Sequence, residues 1–148
     1  MAIKNYTSKV SPYESLGEIQ KALATHGATK IMIDYNGGKP TALTFALATT
    51  RGLQAFRLPA AVQGTLAVFK RQKVKEDPEQ AEITAWRNVR DWVLAQMALV
   101  ESCDVPVEQI FFPYMTNNNG ETLYDAYVAG SLPSPNSPHR LEEGTELF

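Results

Sequence analysis

Residues 77–103 read DPEQAEITAWRNVRDWVLAQMALVESC, and the fold turns on how they are read. Asp77 can cap a helix, Pro78 suits the first helical position, and Gln80 can answer back to the cap, so a helix is predicted from Pro78 to about residue 102. At 100° per residue, Ala85, Val89, Trp92, Val93, Gln96, Leu99 and Val100 fall on one broad arc, which Trp86 and Met97 widen. Leu94, Ala95 and Ala98 point elsewhere, which gives the second half of the helix two apolar sides. Such a helix is sandwiched between layers or shared between subunits, so these three residues are candidates for an oligomer or partner interface. Arg87 and Arg90 are expected at its exposed edge, with Asp91 one turn from Arg87, and Glu79 and Glu82 read as solvated surface.

The segments before it supply a sheet. AIKNYTSKV (2–10) alternates enough to be a short strand. SPYE (11–14) opens a helix that carries Leu16, Ile19 and Leu23 and stops at His26-Gly27. TKIMIDY (29–35) places Ile31, Ile33 and Tyr35 on one face, and Asn36-Gly37 favours a hairpin. TALTFALAT (41–49) alternates Leu43, Phe45 and Leu47 with Ala and Thr, and GLQAFRLP (52–59) reads as a third strand. A helix follows with Val62, Leu66 and Phe69 on one stripe, weakened by Gly64. After the long helix, VPVEQIFFPYM (105–115) predicts a short helix ending before Pro113, and NNNGETLYDAYVAG (117–130) a turn and a brief amphipathic helix. The expected fold class is α+β: a small antiparallel sheet packed against one long amphipathic helix, with several short helices. One globular domain is expected over residues 1–130, and residues 131–148, with three prolines and three glutamates, read as a flexible acidic tail.

A chain of 148 residues with 44% hydrophobic residues can bury a core without disulfides or metals. Its apolar runs are too short for a membrane span, no signal-type segment opens it, and its one cysteine points to a reducing cytoplasm. The formal net charge of −2 hides an asymmetry: residues 1–75 carry eleven Lys and Arg against three Asp and Glu, and residues 76–148 three against thirteen. The reversal is sharpest where KRQKVK (70–75) meets EDPEQAE (76–82). Either folding lays the halves together and neutralises them, or the cations face out toward a polyanion.

Catalytic chemistry finds little to work with. Cys103 falls at a helix C-terminus beside Glu101 and Asp104, a setting opposite to that of a reactive thiolate. His26 reads as a helix-end residue and His139 lies in the proline-rich tail. Two histidines and one cysteine, far apart, make no metal-ligand spacing, and NGGKPT (36–41) is a hairpin turn, lacking the lead and the following helix of a phosphate loop. The chain is therefore read as a non-enzyme without a cofactor. Its expected mode is protein–protein binding, as a homo-oligomer with a further protein partner. The alternative is nucleic-acid binding by the basic half, with Lys70, Arg71, Lys73, Lys75, Arg51 and Arg57 as phosphate contacts and tyrosines or Phe56 stacking on bases. A third reading sequesters a small nucleotide at a subunit interface, with Arg51, Arg57 or Lys70 on its phosphates.

LEEGTELF (141–148) ends in Leu147 and Phe148 after three acids, and resembles the C-terminal tips of bacterial single-strand-binding proteins, although Leu147 stands where those have proline. Phe148 is accordingly a further candidate partner contact. The chain as a whole is similar to a widespread family of small proteins encoded by tailed phages and prophages. The likeness rests on NYTSKV, EIQKALATHGATKIMIDY, FRLPAAVQGTL, AWRNVRDWVLAQMALVE and IFFPYM…GETLYDAY, and covers about residues 3–128. It implies an accessory role in the cytoplasm of a bacterial host, including modulation of host machinery or defence, and transfers no site residue.

Overall fold

Helix α3 (Pro78–Cys103) is the spine on which the remaining elements pack. The computed structural model describes residues 2–75 and 77–130, and the expected tail, with Phe148, lies outside them. In chain order the other elements are α1 (Pro12–Thr25), β1 (Ala28–Asn36), β2 (Lys39–Thr49), β3 (Gly52–Pro59), α2 (Val62–Arg71), α4 (Val107–Ile110) and α5 (Leu123–Val128). The fold is α+β: a three-stranded antiparallel meander, β1-β2-β3, packs one face against the long helix. No helix among the described residues is long and apolar enough to cross a membrane.

Local chemistry sets most boundaries. Ser11 caps α1 by accepting from the Glu14 N–H, and Asp77 caps α3 by accepting from the Glu79 N–H. Gln80 does not answer back; its amide donates to the Ser8 carbonyl and to Thr84 instead. The β1–β2 hairpin closes on Gly37 and Gly38, both at positive φ, between paired Asn36 and Lys39. Two left-handed residues suit the twist of flanking strands, which is why glycine occupies both.

Alternation along β2 and β3 buries Leu43, Phe45, Leu47, Phe56 and Leu58 against Leu16, Ile19 and Leu23 of α1 and Trp86, Val93 and Met97 of α3. Each such side chain contributes about 1.5–3 kcal/mol by leaving water. The Trp86 indole N–H donates to the Pro40 carbonyl at 3.1 Å, so even the largest core group is satisfied. Phe111 joins this core edge-on to Phe45, ring centres 4.9 Å apart, and Trp92 stands edge-on to Phe111 at 5.6 Å.

Several expectations need correction. Residues 2–10 form no strand: they are a turn segment with Asn5 in the left-handed region (φ 68°), held by side chains of α3. Tyr35 leaves the core face and is 54% exposed, because a register shift between Asp34 and Tyr35 turns it outward. Leu99 is 48% exposed, roughly 100° round the helix from Val100 at the margin of the buried arc. The short helix expected to end before Pro113 does so, running Val107–Ile110, and a separate 3-10 turn, Phe112–Tyr114, follows it.

Candidate functional site

The charge reversal resolves unevenly. Lys4 pairs with Asp91 at 3.2 Å and Lys39 with Glu82 at 3.1 Å, so folding does bring some basic residues of the first half onto acids of the second. Glu82 is thereby buried on α3 and is no solvated surface residue, unlike its exposed neighbour Glu79. Arg87 and Arg90 depart from expectation more. They reach across to Glu18 of α1, with Arg90 also on Asp91, and both are partly buried. The bonds from Arg87 and Arg90 hold the Glu18 carboxyl below the usual range. Burial pushes Asp91 upward, but bonds from Asn5, Arg90 and Lys4 outweigh it and its net shift is also downward.

KRQKVK is different. Lys70, Arg71, Lys73 and Lys75 are all exposed, and none has an acid within salt-bridge distance among the described residues. The helix end that presents them is well defined. Val74 N–H donates to Phe69 O at 2.9 Å and Lys73 N–H to Lys70 O at 3.2 Å, with Lys73 at φ 58°. These are the two bonds of a Schellman motif, whose left-handed position usually holds glycine. A lysine there costs about 1–2 kcal/mol in backbone strain, so a cation stands where glycine would be more stable.

Beside this rim runs an apolar groove of about 430 Å³ between α2 and α3. Val68 and Gly64 of α2, Val89 and Trp92 of α3, and Leu58, Tyr114 and Ile3 line it. The size and apolar lining are those of a recognition pocket. Residues 3–8 close one side: Ile3 N–H donates to the Gln72 side chain at 2.7 Å, and Thr84 donates to Asn5 O at 3.0 Å. Asn88, at the groove wall, spends its amide on Asn5 and on the Lys4 carbonyl. The groove is therefore apolar inside, and the one side-chain amide on its wall, that of Asn88, is already hydrogen-bonded. Arg71 lies seven residues after Gly64 and three after Val68, on the groove side of α2, whereas Lys70 projects from the opposite side.

The six cations read from the sequence do not form one surface. Arg51 sits in the β2–β3 turn, at the end of β3 away from α2, roughly 25 Å along an eight-residue strand. Arg57 is on the outer face of the sheet, paired with Asp34 at 3.4 Å. No single phosphate site gathers Arg51, Arg57 and Lys70. Of the aromatics, Phe56 is buried, while Tyr6, Tyr13 and Tyr35 are exposed. Of the three expected interface residues, Ala95 and Ala98 are exposed and Leu94 is half-buried. Cys103 is exposed, its sulfur 3.7 Å from the Ser102 hydroxyl. The His26 ring contacts the Ala22 carbonyl and Glu101, at 2.8 and 2.9 Å, closing α1 onto the end of α3. Among the described residues no group of three or more His, Cys, Asp or Glu is placed to hold a metal.

The groove itself was missed by sequence reasoning. Gly64 was its one visible sign, a helix breaker kept in the middle of an amphipathic helix. No protein-family model matches the chain, and no curated protein or solved structure matches it.

Proposed function

We propose that this chain is a non-catalytic binding protein that receives an acidic protein segment with apolar anchors in the α2–α3 groove. The observation that carries this reading is an apolar groove with the exposed Arg71 on its side of α2 and Lys73 and Lys75 just beyond that helix, cations that no described acid neutralises. Apolar side chains of the partner would enter between Val68 and Trp92, and its carboxylates would meet Arg71, Lys73 and Lys75. A polyanion track is less favoured, because the cations are split between distant surfaces and the groove beside the main cluster is apolar. The setting, a phage accessory role in bacterial cytoplasm with host machinery or defence as its object, rests on the sequence resemblance alone.

The test is selection of a displayed random-peptide library on the immobilised full chain, with a single-stranded oligonucleotide as a parallel probe. Selected peptides should combine acids with Leu, Phe or Trp and lose at least about tenfold in affinity to a Gly64→Glu variant. A Cβ at Gly64 meets only Ala61 Cβ at 3.6 Å, so that variant changes the groove and spares the helix. Peptides indifferent to Gly64→Glu would overturn the groove reading. Steeply salt-dependent oligonucleotide binding, lost when Lys70, Arg71, Lys73 and Lys75 become Gln, would put nucleic-acid binding in its place.

A further inference from the structure

We infer that the groove's resident occupant is the chain's own segment 131–148, which covers it until an external ligand competes. The inference rests on the groove reading above and adds a regulator to it. Three observations converge. The first is charge: the segment carries Glu142, Glu143 and Glu146 within five residues against the single Arg140, while Arg71, on the groove side of α2, and Lys73 and Lys75, just beyond the end of that helix, have no described acid partner. The second is apolar content. Leu141 precedes the acids and Leu147-Phe148 follow them, so that apolar groups bracket the charges as the groove's apolar interior and the cations near it require.

The third is reach. The segment leaves from Gly130, two residues beyond α5, and α5 packs against the turn containing Tyr114. Tyr114 is itself a wall of the groove, so the segment starts one layer from its target. Fully extended, residues 131–148 span roughly 60 Å, and as a flexible coil about 23 Å end to end. Helix α2, which forms one whole side of the groove, is only about 15 Å long. A tether of this length presents Leu147 and Phe148 at millimolar effective concentration, enough for a weak contact to prevail in cis. Docked in this way, Leu147 and Phe148 fill the space beside Trp92 and the glutamates neutralise those cations.

The experiment uses a fluorescent synthetic peptide of residues 131–148 as probe, titrated against the full chain. A Leu147→Asp/Phe148→Asp chain should bind the probe about tenfold more tightly than wild type, because its own segment no longer competes. Adding Gly64→Glu to that variant should remove the binding. A Glu142→Gln/Glu143→Gln/Glu146→Gln chain should gain less, and its gap from wild type should close with added salt. Equal affinity of wild type and the Leu147/Phe148 variant overturns the inference, and so does binding to neither. If library peptides still bind and depend on Gly64, the groove reading survives that failure. If they do not, both fall together.

Discussion

Two clusters of charge flank the long helix, and they are built on opposite terms. On the α1 side, Glu18, Arg87, Arg90, Asp91, Lys4 and Asn5 pair with one another in a partly buried network that ties α1 and residues 3–8 to α3, although the buried Arg90 Nε finds no partner. On the α2 side, Lys70, Arg71, Lys73 and Lys75 stand in solvent without a described acid. The first cluster is closed: its charges are spent on positioning the chain, and one of them, Asp91, accepts from three side chains, those of Lys4, Asn5 and Arg90. The second is open, and it borders an apolar groove. Charge that the fold uses and charge that the fold leaves available can be told apart by partners, although they look alike in composition.

The comparison breaks most visibly at Asp91. Its replacement by Ala removes one of the two carboxylate partners of Arg90 and one of the two acceptors of the Asn5 amide, and should cost about 1–2 kcal/mol in denaturant unfolding while loosening residues 3–8. Acid should attack the same cluster. Glu18 and Asp91 have folded-state pKa values below their unfolded ones, so their contribution is whole above the ordinary carboxylate range. As pH falls through about 4 the unfolded chain takes up protons first, and stability is lost until the lowered folded values are passed. Melting temperature measured against pH should therefore fall in that window for the wild type and fall less for Asp91→Asn. A variant as acid-sensitive as the wild type would show that the network does not carry the effect. Because Glu18 is more than a third exposed, its share is screened and is the smaller one.

The closed cluster and the open one also differ in how far they could be read ahead. Caps at Ser11 and Asp77, the Gly37-Gly38 hairpin and the alternation of β2 follow from neighbours a few residues apart, and these specify the α+β fold. The exposure of KRQKVK was one of two readings that the sequence left open. The Asp91 network could not be read, because Asn5 and Asp91 are 86 positions apart and only packing brings them together. Arg87 and Asp91, one turn apart, invited a local pair, but Glu18 on α1 offered Arg87 a better one. The N-terminal residues failed as a strand for the same reason: Asn5 takes a left-handed turn because α3 side chains hold it there. The groove is likewise a product of two helices and a floor, with Gly64 as its only local trace.

The smallest expected effect separates the two kinds of charge most directly. Lys73 occupies the left-handed position at the end of α2, where an L side chain is strained and glycine is not. If Lys73 served only the fold, glycine would be the better residue on every count. Lys73→Gly should raise unfolding free energy by about 1 kcal/mol, since the Val74 and Lys73 backbone bonds to Phe69 and Lys70 remain available. The same change removes a cation from the end of α2 near the groove, so peptides selected on the groove should bind it about two- to threefold more weakly, an effect that fades with salt. Stability gained with affinity unchanged would mean that the strain at Lys73 has no bearing on binding and that the open cluster is only solvated surface. Stability gained with affinity lost would identify a residue retained at the expense of the fold, which is the difference between the two sides of α3 expressed in one side chain.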